Sequence, residues 1–191
     1  MSEIKAVVSD LDGTLVDTFE ANFLAYRSVF AARGFTLSRD MYRKVFGLRI
    51  DELLKGLGMS ADAGLVADIR RSKAQCYPNF FEALRPNQVL IAFLRAFRAQ
   101  GGRTALASTA SRANVENVMR HIGVSELFDF VIAGEDVKNG KPHPECYNVA
   151  CARLRVDPDE VLVFEDTAIG IEAARRAGMK AVKIGEAFYG A

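Results

Sequence analysis

The feature that most constrains this chain is a short apolar run that ends in acid. Ile4-Lys5-Ala6-Val7-Val8-Ser9 is rich in β-branched residues and passes directly into Asp10-Leu11-Asp12-Gly13-Thr14-Leu15. A run of this length, closed by a glycine turn, predicts a buried strand with two carboxylates at its C-terminal end. Two aspartates separated by one residue project to the same side of an extended chain. If such a carboxylate must meet a phosphate dianion about 4 Å away, repulsion at an effective dielectric of about 20 is roughly 8 kcal/mol, so a cation is expected beside it. Taken alone, the motif also fits a solvated turn after an edge strand, and only residues further along the chain can decide between the two.

After Thr14 the period changes from two to about 3.6. Phe19, Phe23, Tyr26 and Phe30 recur at helical spacing, which predicts an amphipathic helix over 18–33 with an aromatic core stripe, stopped by Gly34. Ser38 is placed to cap a second helix, residues 51–57 give a third, and Ser60 opens a longer one towards Cys76. No strand is expected between Leu15 and Arg85. From Pro86 onward helices and strands alternate: a helix over 89–100, a strand over 103–107, a helix capped by Ser111 and running to His121 with Gly123 as its stop, and a strand over 130–132. A helix over 143–154, a strand over 161–164, a helix over 168–177 and a strand over 180–184 complete the pattern. Strands separated by helices of this length imply βαβ crossovers and a parallel sheet covered on both faces. The expected organisation is an α/β core, residues 1–16 and 86–191, with an all-helical block, 17–85, inserted after the first strand.

At 191 residues the chain suits one sizeable core with an insertion. A net charge of +1 gives no global attraction to nucleic acid or to an anionic membrane. No apolar run approaches a membrane span and no secretory segment is recognised, so a cytoplasmic protein is expected. Cys76, Cys146 and Cys151 lack metal or redox spacing and are read as free buried thiols.

Three later stretches could complete a site around Asp10. Ala105-Leu106-Ala107-Ser108-Thr109 ends a strand in hydroxyls just before a helix N-terminus, where backbone N–H groups, Ser108 and Thr109 suit phosphate oxygens, although an ordinary helix cap reads the same way. Gly140-Lys141-Pro142-His143-Pro144 frames a lysine between a glycine and two prolines, which suits a charge held in place. His143 and His121 are read as ordinary loop and helix-end side chains. Val161-Leu162-Val163-Phe164 ends in Glu165-Asp166-Thr167, and with Asp10 and Asp12 these acids form an oxygen-only donor set of the kind that favours Mg²⁺ over zinc. The alternative is that Asp166 or Thr167 only caps the next helix.

In this order and on these elements, Asp10-Leu11-Asp12-Gly13-Thr14, Ser108, Lys141-Pro142 and Glu165-Asp166 with Gly170 resemble the haloacid dehalogenase superfamily, in its phosphatase branch with a helical cap after the first strand. The resemblance spans essentially the whole chain. It implies a Rossmann-like sheet ordered 5-4-1-2-3, Asp10 as a nucleophile that becomes an aspartyl-phosphate, and Asp12 as general acid/base whose backbone carbonyl also binds Mg²⁺. It further implies phosphate positioning by Thr14, Ser108 and Lys141, and a metal site at Asp166 with Glu165 beside it. An acid at position 12 argues against dehalogenase chemistry.

Within the branch, Asp17-Thr18-Phe19-Glu20, Gly47-Leu48-Arg49 and Lys73 before Tyr77 are similar to the β-phosphoglucomutase and sugar-phosphate phosphatase group. Arg49 and Lys73 then become candidate substrate contacts, or else solvated helix charges. Asn22 stands where the mutases usually carry a histidine, which favours hydrolysis. The residues after Gly185 are fewer than in longer members, which is expected to leave one sheet edge less covered. The reading is a Mg²⁺-dependent phosphatase of a small phosphorylated metabolite such as a sugar phosphate, a monomer or weak homodimer. A phosphohexomutase is the alternative, and a non-catalytic metabolite-binding protein the remote one.

Overall fold

The computed structural model describes residues 3–185, so the expectation for the tail after Gly185 lies outside it. Along the chain run β1 (Ala6–Ser9) and β2 (Val16–Asp17), then α1 (Phe19–Ala31), α2 (Arg39–Arg43), α3 (Ile50–Gly56) and α4 (Ala63–Cys76). After a 3₁₀ segment, Tyr77–Ala83, come β3 (Arg85–Pro86), α5 (Gln88–Ala99), β4 (Arg103–Ala107), α6 (Arg112–His121) and β5 (Phe130–Ile132). The chain continues with α7 (Glu145–Leu154), β6 (Val161–Glu165), α8 (Ala168–Arg176) and β7 (Lys180–Lys183). It divides into two compact units, one of the residues up to Asp17 together with those from Arg85 onward, the other of Thr18–Leu84.

The first unit is an α/β layer structure built on a five-stranded sheet ordered β5-β4-β1-β6-β7. Every pair in it is parallel. Counted among the sheet's own strands, and read from the β7 edge, this is the expected order 5-4-1-2-3. All four residues of β1 are buried, as a central parallel strand covered on both faces requires. Val7 and Val8 are fully buried, and each such side chain stabilises the fold by about 1.5–3 kcal/mol. On one face, Val8, Ala105 and Val163 pack against Tyr147 and Ala150 of α7 and Ala173 of α8. On the other, Phe93 of α5 meets Phe164 of β6 edge to face.

The second unit is helical. The aromatic stripe of α1 is core, since Phe19, Phe23 and Tyr26 each lie within 6 Å, ring to ring, of the buried Tyr42 on α2. Leu53, Leu54 and Ile69 close the cluster from α3 and α4.

Several local expectations need correction. A two-residue antiparallel ribbon, β2 with β3, lies where no strand was expected; so short a pairing leaves no periodicity in the sequence. Helix α4 starts at Ala63, because the carboxylate of Asp62 accepts the Leu65 N–H and caps it, while the Ser60 hydroxyl only donates to Asp62. Ser38 does cap α2, accepting from Met41. Ser111 stands at the N-cap of α6 without a side-chain cap bond, and the first N–H of that helix goes to Glu135 instead. Cys76 is half-buried, whereas Cys146 and Cys151 are buried, and all three are unpaired. Among the described residues no helix is long and apolar enough to cross a membrane.

Candidate active site

Parallel pairing brings the C-terminal ends of β1, β4 and β6 together, with Ser9 opposite both Leu106 and Phe164. The Asp10 N–H continues the ladder to Phe164 O at 3.0 Å, and the Ser108 N–H reaches Ile132 O at 2.9 Å. The acidic loop turns after Leu11, whose carbonyl accepts the N–H groups of Thr14, Leu15 and Val16, and Asp12 stays close enough to Asp10 to push its carboxyl pKa upward. Gly13 allows this turn with φ of +86°, and a Cβ there would also lie 2.8 Å from Cγ of Asp166.

Lys141 completes the centre. Its ammonium donates to Asp10 Oδ1 at 2.5 Å, to Ala107 O at 3.3 Å and to Glu165 Oε1. The side chain is 4% exposed, so these contacts operate without solvent screening. Burial alone would lower the lysine pKa, but Asp10, Tyr147 and Glu165 hold it well above its ordinary value, and the group is an ammonium. The lysine follows Gly140 as expected, and its bond to Pro142 is cis.

The carboxylates differ in what they face. Burial pushes Asp10 well above the usual carboxylate range against the pull of Lys141, and Glu165, Asp166 and Asp12 push the same way as burial. Burial also raises Asp166, with Glu165 adding to it, to a pKa of about 6. Glu165 lies below its ordinary value, because Lys141 and a set of hydrogen-bond donors outweigh its burial. Its Oε2 accepts the N–H groups of Asp166 and Thr167 and the Thr167 hydroxyl.

Asp10, Glu165 and Asp166 offer carboxylate oxygens within 4.8 Å of one another. An all-oxygen set in which two acids are raised by burial and, less, by their acidic neighbours, with one lysine among them, fits a hard divalent cation. Asp12 contributes differently: its carboxylate accepts the Ser108 hydroxyl at 3.3 Å, and its expected part in holding a cation is through the backbone carbonyl.

The remaining predicted residues divide between the units. Thr14 is fully buried and donates to Asp166 Oδ1 at 3.2 Å. Ser108 accepts the Ala110 N–H at 3.0 Å, and Thr109 follows it, half-buried. Arg49 and Lys73 belong to the helical unit. Arg49 is half-buried at the N-cap of α3, its N–H donating to Glu52. Lys73 is 5% exposed, donates to Asn22 Oδ1 at 2.5 Å and lies 4.7 Å and 4.3 Å from the ring centres of Tyr26 and Tyr77. It is therefore not a solvated helix charge. His143 is exposed in its loop.

Sequence reasoning missed two residues. Asn87 is fully buried, caps α5 through Leu90 N–H and donates to Thr14 O at 3.2 Å, tying the acidic loop to the helix. Tyr147 is fully buried and donates to Glu165 Oε1 at 2.9 Å. The usable signal was a tyrosine at an interior position of α7, where its hydroxyl requires a partner.

With this geometry in hand, three comparisons are informative. The chain is 32% identical over 184 residues, 94% of its length and 84% of the relative's, to a phosphorylated carbohydrates phosphatase of Thermotoga maritima. It is 26% identical over 190 residues, 96% of its length and 84% of the relative's, to a β-phosphoglucomutase of Bacillus subtilis. Its fold superposes with a TM-score of 0.85 on CbbY from Rhodobacter sphaeroides in complex with xylulose-(1,5)bisphosphate, at 29% identity, covering 98% of this chain and 88% of that one. Residues 7–184 match the haloacid dehalogenase-like hydrolases, and the chain belongs to that family.

Proposed function

We propose that the protein is a Mg²⁺-dependent phosphatase of small phosphorylated carbohydrates that works through an aspartyl-phosphate on Asp10. The observation that carries this reading is the ammonium of Lys141 held between Asp10 and Glu165, with Asp166 in the same cluster. Asp10 and Asp166 with the carbonyl of Asp12, and Glu165 beside them, would hold the cation, which would supply neutralising charge for the phosphoryl oxygens. Lys141 adds a fixed positive charge on the same oxygens, and Thr14, Ser108 and Thr109 orient them. The Asp10 carboxylate attacks phosphorus in line, and Asp12 gives its proton to the departing alkoxide oxygen. Asp12 then takes a proton from water, which attacks the phosphorus of the acyl phosphate, releases inorganic phosphate and restores Asp10.

The helical unit Thr18–Leu84 serves as a cap, and its Arg49 and Lys73 select the substrate's distal groups. Asn22 has no titratable proton near neutral pH and is engaged with Lys73, which supports hydrolysis over a mutase. The reading is tested by phosphate release from a panel of sugar phosphates, phosphoglycolate and nucleotides, with Mg²⁺ and with EDTA. Metal-dependent release from sugar phosphates is expected. Release from none of the esters rejects the reading, and isomerised product without stoichiometric phosphate replaces it with a mutase.

A further inference from the structure

We infer that Tyr147 is a positioning residue for this chemistry, holding Glu165 so that Lys141 remains on Asp10. The inference rests on the phosphatase reading of the site and adds a residue that none of the family motifs in the sequence includes. Glu165 Oε1 accepts two donors, the Lys141 ammonium and the Tyr147 hydroxyl, while Oε2 is taken by Thr167 and two backbone N–H groups. The tyrosine is fully buried, so its hydroxyl has no water to turn to. Its ring also lies 5.4 Å from the ammonium.

Two constraints meet on helix α7. Its first residue, Glu145, accepts the N–H groups of Lys138 and Asn139 and fixes the loop that carries Lys141. Two residues on, Tyr147 fixes the carboxylate that shares the lysine. Without the hydroxyl, Oε1 keeps Lys141 as its only side-chain donor and draws the ammonium from Asp10, to which it is now held at 2.5 Å. A phenylalanine would fill the same volume, so the hydroxyl serves the carboxylate, and packing alone does not call for it.

The test is Tyr147→Phe, assayed on p-nitrophenyl phosphate with Mg²⁺ and by calorimetric binding of orthovanadate and inorganic phosphate. The expected result is a kcat lowered about tenfold with KM within about twofold, because the lost alignment matters where charge moves. Orthovanadate, which mimics the five-coordinate phosphorus, should bind about tenfold more weakly and phosphate within about twofold, with the Tm within about 3 °C of wild type. In a Glu165→Gln background the same change should cost less than about twofold more, as expected for a residue acting through Glu165. Wild-type kcat and vanadate affinity in Tyr147→Phe, or an undiminished loss in the Glu165→Gln background, overturns the inference alone. A wild-type protein that neither cleaves the ester nor binds vanadate overturns the phosphatase reading and this inference with it.

Discussion

The ammonium of Lys141 lies 2.5 Å from Oδ1 of Asp10, although the two residues are 131 positions apart. It is the cation that the buried carboxylates of Asp10 and Glu165 share. Replacing it with methionine leaves both acids buried without a counter-charge, and breaking such a pair costs about 3–5 kcal/mol. Lys141→Met should therefore be inactive and also less stable by about that amount at pH 7, with a smaller deficit near pH 5, where the carboxyls take up protons. Urea denaturation at the two pH values checks it.

Asp10→Asn should behave differently. Lys141 keeps Glu165 as its counter-charge when Asp10 is neutralised, so a neutral side chain of the same shape is compatible with the fold. Stability should stay within about 1 kcal/mol of wild type, while turnover of p-nitrophenyl phosphate drops by about a thousandfold or more if Asp10 is the nucleophile, as proposed. Wild-type-like turnover in this variant excludes the covalent route.

The sheet and the motif residues were legible in the sequence because the strands alternate with helices long enough to show a period, and glycine or proline breaks precede β4, β6 and β7. β4 and β5 have the bounds expected for them, 103–107 and 130–132. What could not be read were features made by tertiary contact. The ribbon of β2 and β3 is two residues deep, and the hydrogen bond of Asn87 to Thr14 joins positions with no local pattern between them. The same limit applied to Lys73. Its sequence neighbours suggest a helix surface, and only the packing of α1 against α4 encloses it beside Asn22 and two tyrosines.

Gly170 lies in α8 directly against the Glu165 carboxyl, and an added Cβ would overlap both of its oxygens. The carboxylate cannot yield without releasing Lys141, Tyr147 and Thr167, all of which it binds. Gly170→Ala should lose about 1–3 kcal/mol of stability through overpacking and most of the phosphatase activity, despite the higher helix propensity of alanine. Thermal unfolding and p-nitrophenyl phosphate turnover on the same sample test both parts.

Asp166 gives a pH dependence of definite sign. Its pKa of about 6, against 3.8 ordinarily, means that between about pH 4 and pH 6 the folded metal-free protein keeps a proton that the unfolded chain has released. Stability from this group is therefore present below that window and lost as the pH rises through it, by about 3 kcal/mol for a shift of about two units. Asp10 is shifted in the same direction. If Asp166 binds the cation, as proposed, the cation replaces the proton, so Mg²⁺ should raise the Tm more at pH 7 than at pH 5, and EDTA should remove the difference. Thermal melts at the two pH values with Mg²⁺ and with EDTA measure this, and an equal Mg²⁺ shift at both would exclude Asp166 from the metal site.

Lys73 separates a structural charge from one that selects substrate. Its ammonium is 5% exposed, bonded to Asn22 and lodged against Tyr26 and Tyr77. A desolvated cation over aromatic faces is worth about 2 kcal/mol, part of which is offset by the cost of burying the charge. Methionine follows the same stem and packs favourably against rings, so Lys73→Met should destabilise the fold by only about 1–2 kcal/mol. If Lys73 selects the sugar, KM for a sugar phosphate should rise about tenfold or more while KM for p-nitrophenyl phosphate, which lacks distal hydroxyls, stays within about twofold. Unchanged KM for both esters, with the small stability loss intact, would leave Lys73 as a core charge and place substrate selection elsewhere in the helical unit.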